Sequence, residues 1–310
     1  PQAGSPGEDP AAHGGRVSRR AGTVAVAGRP NAGKSTLVNA LVGTKVAIVS
    51  DKPQTTRRRV LGMLNRPDGQ IVFVDTPGLH KPLHRLNRVM LDEAMEAILD
   101  VDVVLLVIDA TEKEGAGDRH ALELVAKANP PRVAVLNKVD LVAKPKLLPR
   151  MAALGATGLF DEIVAVSALT GDGLAELPEM LLRLLPEGDD LYPSDTVTLS
   201  DEKTRVAELI REKFLERTRE EIPYGLGVVV EEWTVDEEKG LTRVTATLVV
   251  DKESHKRIVI GLGGQLIRDA GTAARLEIEK TFGGRFFVGL RVVARPGWRE
   301  DSRFLGTLSS

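Results

Sequence analysis

The sequence of 310 residues contains no cysteine, which excludes disulfides and thiolate metal sites and makes a reducing compartment, the cytoplasm, the expected location. It also lacks an apolar run of the roughly 20 residues that a membrane-spanning helix requires. Its longest candidate, residues 101–110, is bracketed by Asp102 and Asp109. The formal net charge is -2, so no global field marks a nucleic-acid-binding protein, and any such site must be a local patch.

Short apolar runs alternate with amphipathic segments up to about Leu185. This alternation predicts an α/β domain with a mostly parallel sheet and helices on both faces. Ligands bind such sheets at the carboxyl ends of the strands, and each polar motif of this region follows a predicted strand. The predicted strands cover residues 23–27, 71–75, 102–110, 132–138 and 162–168, and the predicted helices cover residues 34–42, 87–99, 118–128 and 174–185.

The Pro-, Gly- and Asp-rich stretch 186–195 interrupts this rhythm and indicates a domain boundary. Beyond it, the order changes to helix, strand, strand, helix, helix, strand, which predicts a separate α+β domain. These elements cover residues 201–221, 225–235, 241–251, 254–260, 266–281 and 285–294, with Ser200 or Asp201 as the first helix cap and a turn at 237–240. The expected segments are a disordered tail (1–22), a nucleotide-binding domain (23–188), a linker (189–199) and a second domain (200–310).

A phosphate-binding loop follows the first predicted strand, because residues 28–35 match the pattern G-x-x-x-x-G-K-[ST] between a strand and a helix. Backbone N–H groups at the positive end of the helix dipole are expected to surround the phosphates. Lys34 would neutralise the outer phosphates, and the Ser35 hydroxyl would ligate Mg²⁺. The expected nucleotide-binding residues of this loop are Gly28, Asn31, Ala32, Gly33, Lys34, Ser35 and Thr36.

The stretch DTPG, residues 75–78, ends another predicted strand and is expected to sense the third phosphate. Asp75 would hold Mg²⁺ through a water molecule, and the N–H of Gly78 would contact the terminal phosphate, with Thr76 and Pro77 in the same loop. Many nucleotide hydrolases place Gln directly after this glycine to hold the attacking water, whereas this sequence has Leu79. Leucine cannot orient water, so another group must do so.

The polar, basic segment 51–59 lies between the first predicted helix and the next strand and is expected to be a switch loop. Thr56, in preference to Thr55, would complete the Mg²⁺ shell and order the loop when the third phosphate is present. Gln54, Arg57 and Arg58 are the other candidate switch residues. The alternative interpretation is a solvated basic loop.

A guanine pocket is predicted at the ends of the last two strands of the first domain. A buried Asp140 would accept hydrogen bonds from N1 and N2 of guanine and reject adenine, which lacks that donor pair. Asn137 would tie this loop to its neighbours, and the stem of Lys138 would lie across the ring. Backbone donors on the far side of the base are expected from Ser167, Ala168 and Leu169.

One residue of the phosphate loop is a candidate substitute for the missing Gln. The side-chain oxygen of Asn31 would help to hold K⁺ beside the phosphates, where other GTPases place an arginine finger. Backbone groups near Gly78 and in the Thr55–Thr56 loop would then hold the water. The alternative interpretation is that Asn31 only braces the loop after Pro30.

The motifs, in this order, resemble those of the translation-factor-like GTPases, and the sequence resembles one family among them, the Era-type GTPases of bacteria. The resemblance spans about Thr23 to Asp301 and rests on the stretches GRPNAGKSTLVN, QTTRRR, DTPGLHKP, NKVD, ESHKRIVIG and WRED. It implies a GTPase domain followed by a type II KH domain, slow GTP hydrolysis, Mg²⁺ as cofactor, and catalytic roles for Lys34, Thr56 and Gly78. It also implies assembly of the small ribosomal subunit by binding near the 3′ end of its RNA, under control of the nucleotide state.

We expect a cytoplasmic monomer. Peripheral association with the inner face of the cell membrane is reported for the family, although no segment of this sequence demands it.

KH modules hold single-stranded RNA with a G-x-x-G loop between two helices, and residues 261–264 occupy that place here. Family members often carry Lys at the two middle positions, whereas this sequence has Leu262 and Gly263, so RNA binding is expected to depend more on flanking cations. Trp298 fits a tail anchor as well as a base-stacking platform. The expected RNA-binding residues are Lys256, Arg257, Gly261, Leu262, Gly263, Gly264, Arg268 and Arg275.

Two other functions compete with this interpretation. A GTPase that remodels or modifies another RNA would share both domains, although the lack of cysteine argues against enzymes that need a catalytic thiol. The single phosphate loop argues against ribosome factors with tandem GTPase domains. An RNA-binding scaffold with a vestigial nucleotide site is opposed by the intact Lys34, Ser35, Asp75 and Asp140.

Overall fold

The computed structural model describes residues 19–52, 54–79 and 85–307. The first domain contains a six-stranded sheet in the order β2-β3-β1-β4-β5-β6, in which β2 is antiparallel to β3 and the other pairs are parallel. The predicted α/β fold is therefore confirmed. Its strands are β1 (Arg20–Gly28), β2 (Val60–Arg66), β3 (Gly69–Asp75), β4 (Val103–Asp109), β5 (Arg132–Asn137) and β6 (Glu162–Ala165). Its helices are α1 (Lys34–Val42), α2 (Arg85–Leu99), α3 (Ala116–Val125), α4 (Leu147–Ala156) and α5 (Leu177–Leu184).

The alternation of side chains along β1 explains why both faces of the sheet are covered. Val24 and Val26 pack with residues of α1 and α5 in one apolar cluster. Ala25 and Ala27 point to the opposite face and pack with residues of α2 and α3 in another. Because both faces are buried, residues 24–28 of the strand are all apolar, and this is what made it recognisable.

Three parts of the first domain differ from the prediction. Strand β1 begins at Arg20, inside the expected tail, because its first residues pair with Gly69 and Gln70 of β3; the tail up to residue 18 lies outside the described residues. The strand β2 was not predicted, since it is a half-buried edge strand and carries Gly62 at its centre. The helix α4 was also not predicted; of its residues only Leu147 is buried.

The second domain follows the predicted order. It contains α6 (Glu202–Leu215), β7 (Gly227–Asp236), β8 (Leu241–Val250), α7 (Glu253–Ile260), α8 (Gln265–Phe282), β9 (Arg285–Ala294) and the short α9 (Ser302–Thr307). The sheet order is β7-β8-β9, with the first pair antiparallel and the second parallel. Asp201 caps α6 by accepting a hydrogen bond from the N–H of Thr204. This helix ends at Leu215 instead of at the predicted Glu221, and Glu220, beyond its end, adopts a positive φ of 56°. Within the described ranges, no helix is both long and apolar enough to cross a bilayer.

Candidate functional site

The phosphate loop joins β1 to α1 and leaves the first turn of that helix open. Among the described residues, no side chain caps the amino terminus of α1, and its first turn contains no acidic residue. The N-cap residue Gly33 has a φ of 93°, and a Cβ there would meet Nδ2 of Asn137 at 2.2 Å. The free N–H groups and the positive end of the helix dipole therefore face a space suited to phosphate.

Lys34 is 6% exposed, and its Nζ donates to the carbonyl of Arg29 at 3.0 Å and to that of Gly28 at 3.4 Å. Burial lowers the pKa of its ammonium group to about 8, although the nearby carboxylate of Asp75 acts in the opposite direction. The side chain is thus held by carbonyls of the phosphate loop, and nearby negative charge compensates its positive charge only in part. Phosphate oxygens are the partners that would supply it.

Three oxygen-bearing side chains from three elements meet beside Lys34. The hydroxyl of Ser35 lies 2.8 Å from that of Thr56 and donates to Oδ2 of Asp75 at 2.6 Å, while the hydroxyl of Thr56 lies 3.3 Å from the same Oδ2. Asp75 is fully buried, and its Oδ1 has no hydrogen-bond partner among the described residues. Thr55 instead donates to the carbonyl of Lys52, so the structure places Thr56 at this cluster.

These residues fit a Mg²⁺ ion. Burial raises the pKa of the Asp75 carboxyl, against the opposing effects of Lys34 and of hydrogen bonds from Ser35 and Thr56. A buried carboxylate with an unused oxygen is stabilised by a cation. The spacing of the two hydroxyl oxygens also matches the separation of about 2.9 Å between neighbouring ligands of an octahedral Mg²⁺.

Leu79 does not face the phosphates. It is completely buried, packs in the apolar cluster that contains Ala27 and Ile98, and donates its N–H to the carbonyl of Gly28 at 2.9 Å. Gly78 lies against the phosphate loop, where an added Cβ would meet Pro30 at 2.8 Å. The continuation of this motif, residues 80–82, lies outside the described residues. Leu79 is therefore a core residue that anchors the loop, and water must be held by other groups.

Asn137 joins the base loop to two neighbouring loops, as expected. Its Nδ2 donates to the carbonyl of Ala32 and its Oδ1 accepts from the N–H of Ala168, both at 2.9 Å. The N–H of Ser167 donates to the carbonyl of Asp172. The amides of Ser167 and Ala168 thus brace the loop instead of facing the base, which corrects the expectation that both donate to it; Leu169 remains exposed at the tip.

Asp140 lies in a short 3₁₀ turn at the rim of the pocket and is exposed. The expected buried carboxylate is therefore wrong for this structure, and its removal from water would come from a guanine base hydrogen-bonded to it. Lys138, which precedes this turn, adopts a positive φ of 65°. Its Nζ donates to the carbonyl of Asn31 at 2.7 Å and to Oδ2 of Asp109 at 2.6 Å.

Asp109 is a site residue that the sequence reasoning missed. It ends β4 at the same edge of the sheet where Asp75 ends β3, so the signal was present in the pattern. Burial alone would raise the pKa of its carboxyl, but hydrogen bonds from Lys138 and Thr111 outweigh this effect and leave the pKa below its ordinary value. The pair fixes the stem of Lys138 next to the phosphate loop.

Asn31 has a φ of 63°, and its Nδ2 donates to the carbonyl of Asp51 in the switch loop at 2.7 Å. It therefore does brace a neighbouring loop. Because the amide nitrogen is used in this way, the side-chain oxygen is the atom that can serve a cation.

The switch loop contacts the second domain directly. The guanidinium of Arg57 donates to main-chain carbonyls of Pro223, Tyr224 and Leu226 at 2.7–3.2 Å. Ile48, just before this loop, is buried in the apolar core of the second domain. The interpretation of the segment as a solvated basic loop is thus wrong for Arg57, and the loop connects the phosphate site to the second domain.

The helix that follows the DTPG motif makes a further contact. Leu86 and Met90 of α2 pack with Trp298 in one apolar cluster. Trp298 is completely buried and donates its indole N–H to the carbonyl of Gly225 at 3.3 Å. It is an anchor between the domains and is inaccessible for stacking on a base.

The expected RNA loop joins α7 to α8 and is exposed at its tip, where Leu262 is 97% accessible. Arg268 donates to the carbonyl of Gly263 at 2.9 Å, and Lys256 and Arg257 lie on the preceding helix. Arg275 lies about 16 Å from the end of the loop, measured along α8 from Gly264, and pairs with Glu279. The cations nearest the loop are therefore Lys256, Arg257 and Arg268. Of the neighbouring apolar side chains, Val259 is buried, Ile260, Leu266 and Ile267 pack against the core, and Ile258 is exposed.

Comparison with known proteins identifies both halves of the chain. A family model described as 50S ribosome-binding GTPase matches residues 23–138, and a KH domain model matches residues 221–298. GTPase Era of Geobacter metallireducens is 44% identical over 93% of this chain and 97% of its own length. GTPase Era of Alkaliphilus metalliredigens is 40% identical over 94% of this chain and 99% of its own length.

Two solved structures are similar over nearly the whole chain. One is an Era variant of Aquifex aeolicus bound to GDP and AlF4⁻, with a TM-score of 0.90 and 36% identity over 93% of this chain and 98% of that one. The other is Era in complex with MgGDPNP and nucleotides 1506–1542 of 16S ribosomal RNA, with a TM-score of 0.91 and 36% identity over 94% of this chain and 98% of that one.

Proposed function

Because the chain belongs to the Era family of GTPases, we propose that it binds small-subunit ribosomal RNA near its 3′ end through its KH domain and that GTP controls this binding. The observation that carries the proposal is the contact of the switch loop with the second domain through Arg57. The relative in complex with nucleotides 1506–1542 of 16S ribosomal RNA supports the choice of RNA. We expect this function in the cytoplasm, where the subunit is assembled.

In this proposal the nucleotide site works through charge and position. Lys34 and the N–H groups at the start of α1 bind the phosphates. Ser35 and Thr56 ligate Mg²⁺ through their hydroxyls, and Asp75 binds it through water; the ion neutralises charge on the outer phosphates. Gly78 donates its N–H to the terminal phosphate, and Asp140 reads guanine. The relative that carries MgGDPNP supports the same metal here.

The role of nucleotide state follows from Thr56. Its hydroxyl lies at the Mg²⁺ cluster, while the next residue, Arg57, is held by the second domain. A change at the third phosphate that moves Thr56 must strain or release that contact. We propose that this linkage makes RNA affinity depend on whether GTP or GDP is bound.

We further propose that K⁺ supports hydrolysis in place of an arginine finger, with the side-chain oxygen of Asn31 among its ligands. The observation behind this is the buried Leu79, which leaves no side chain at the usual position to hold water or charge. Hydrolysis should then be slow and faster in K⁺ than in Na⁺ at equal ionic strength. Asn31→Gly, which suits the positive φ, should remove this difference and keep GTP affinity. Equal rates of the unaltered chain in both salts would contradict the proposal.

Crosslinking the chain to RNA in cells and sequencing the bound fragments tests the RNA assignment. Fragments from the 3′ end of small-subunit ribosomal RNA should be enriched, and the Lys34→Ala variant, which loses the positive charge that binds the phosphates, should alter their yield. Enrichment of a different RNA would instead favour a GTPase that acts on that RNA. A steady enrichment that is independent of Lys34 would contradict nucleotide control.

A further inference from the structure

A cleft of about 250 Å³ lies between the two domains. Its walls come from the switch residues Thr56–Arg59, from α2 and α6, and from the beginning of β7. One water molecule needs roughly 10–15 Å³ of such space. The cleft is therefore large enough for a polyatomic ligand.

Two arginine side chains that line this cleft, Arg57 and Arg205, have uncharged direct partners. Arg57 donates to main-chain carbonyls between Pro223 and Leu226, and the guanidinium of Arg205 lies 4.6 Å from the centre of the Phe282 ring. Burial lowers the pKa of Arg205. Their direct partners, main-chain carbonyls and an aromatic ring, carry no negative charge, although the carboxylates of Glu208 and Asp251 lie near Arg57 and that of Glu202 lies near Arg205.

Two buried donor atoms of the same cleft have no hydrogen-bond partner among the described residues. They are Nε of Arg57 and Nη1 of Arg211. The side chain of Arg211 is only 1% exposed; its Nε donates to Glu208 at 2.9 Å, and its Nη2 contacts both Glu208 and the carbonyl of Thr55. Unmade bonds on buried charged donors are costly, so these atoms call for an acceptor.

The acidic groups that line the cleft do not supply that acceptor. Glu208 is already paired with Arg211, and Asp201 caps α6. Oε2 of Glu93 has no hydrogen-bond partner in the described part of the chain, and burial raises the pKa of its carboxyl, against the positive charges of Arg58 and Arg59. None of these three carboxylates is a hydrogen-bond partner of Nε of Arg57 or Nη1 of Arg211 in the described structure.

We propose that this cleft binds a small phosphate-bearing molecule, either inorganic phosphate or the phosphate end of a metabolite, through Arg57, Arg205 and Arg211. A tetrahedral oxyanion offers several acceptors at once and forms the charge-assisted bonds that guanidinium groups make best. Arg57 comes from the GTPase domain, whereas the other two come from α6. The ligand therefore stabilises this arrangement of the two domains and is linked to the state of the switch loop.

The test uses the full chain saturated with the GTP analogue GDPNP and Mg²⁺, so that the phosphate loop, including the position of the third phosphate, is already filled. Isothermal titration with inorganic phosphate, and separately with glycerol 3-phosphate, measures the remaining site. Arg205→Gln and Arg211→Gln should each weaken binding by about tenfold, since each removes one charge-assisted contact. Arg217→Gln is the matched control: it lies just beyond α6, pairs with Glu216 and does not line the cleft.

Binding of inorganic phosphate alone, or of both ligands, supports the site and identifies which source it accepts. The absence of heat with either ligand at about 10 mM, a concentration that would reveal millimolar affinity, overturns the proposal. Equal affinity in Arg205→Gln and Arg217→Gln overturns it as well. Because the direct contact of Arg205 among the described residues is with the Phe282 ring, its variant keeps the test decisive if loss of Arg211 unfolds the chain.

Discussion

Nucleotide binding is predicted to be coupled to proton uptake by Lys34. Burial lowers the pKa of its ammonium group to about 8, and phosphates beside Nζ would return it toward about 10.4. Nucleotide binding should therefore take up a proton wherever the free lysine is neutral and the bound one is charged. With the free pKa at about 8, the uptake is roughly 0.1 proton at pH 7 and about 0.75 at pH 8.5. Affinity should fall as pH rises above 8, by up to about tenfold per pH unit.

Isothermal titration of GDP in buffers with different ionisation enthalpies measures this number. Asp75 complicates the measurement, because burial raises the pKa of its carboxyl and a bound cation would favour release of a proton. The titration is therefore made with EDTA in place of Mg²⁺. Lys34→Arg, which stays charged at both pH values, is the matched control and should show no uptake. An uptake at pH 8.5 no larger than at pH 7 would refute the role of burial at Lys34.

The other predictions concern the base, the RNA loop and the domain contact. Asp140→Asn should weaken GTP binding by about tenfold to a hundredfold and favour xanthosine triphosphate in competition assays; equal binding of ATP and GTP by the unaltered chain would contradict the pocket. Leu262→Lys should strengthen RNA binding at low salt and Leu262→Glu should weaken it, while GTP affinity stays unchanged. These two substitutions replace an exposed side chain, whereas the Cβ of Gly261→Asp would lie 2.8 Å from Leu266. Arg57→Ala should weaken the domain contact by about 1–3 kcal/mol and bring RNA affinities with GTP analogue and GDP closer together, whereas Arg59→Ala, whose described pairing is an exposed one with Glu96, should preserve their ratio.

The nucleotide site was predictable because each of its motifs is local. A strand, a Gly-rich turn and a helix fix the phosphate loop within a few residues, and Asp75 and Asn137 were placed at one edge of the sheet by the parallel order of their strands. The details that failed depend on pairings across the chain. Nothing near Ala168 in the sequence indicates that its N–H would be taken by Asn137.

The switch loop shows the same limit most clearly. In sequence its three adjacent arginines look alike, and a run of charge usually faces solvent. In the structure Arg57 is held by carbonyls of the second domain, Arg58 donates to the carbonyl of Leu305, and Arg59 is exposed. The contacts of Arg57 and Arg58 are made with backbone groups far along the chain, which no local pattern encodes.

The difference between local motifs and contacts across the chain has a consequence for how the two domains communicate. The residues that bind nucleotide are defined by short motifs, so a substitution there acts on chemistry first. Arg57 and Ile48 belong to the same short stretch of chain, yet their partners lie in the second domain. Thr56 lies between these two residues and reaches Ser35 and Asp75. One segment therefore contacts both the phosphate site and the second domain. A movement that improves its contacts at the third phosphate must be compatible with its contacts to the carbonyls of the second domain. Such a shared segment couples the two sites without a separate relay.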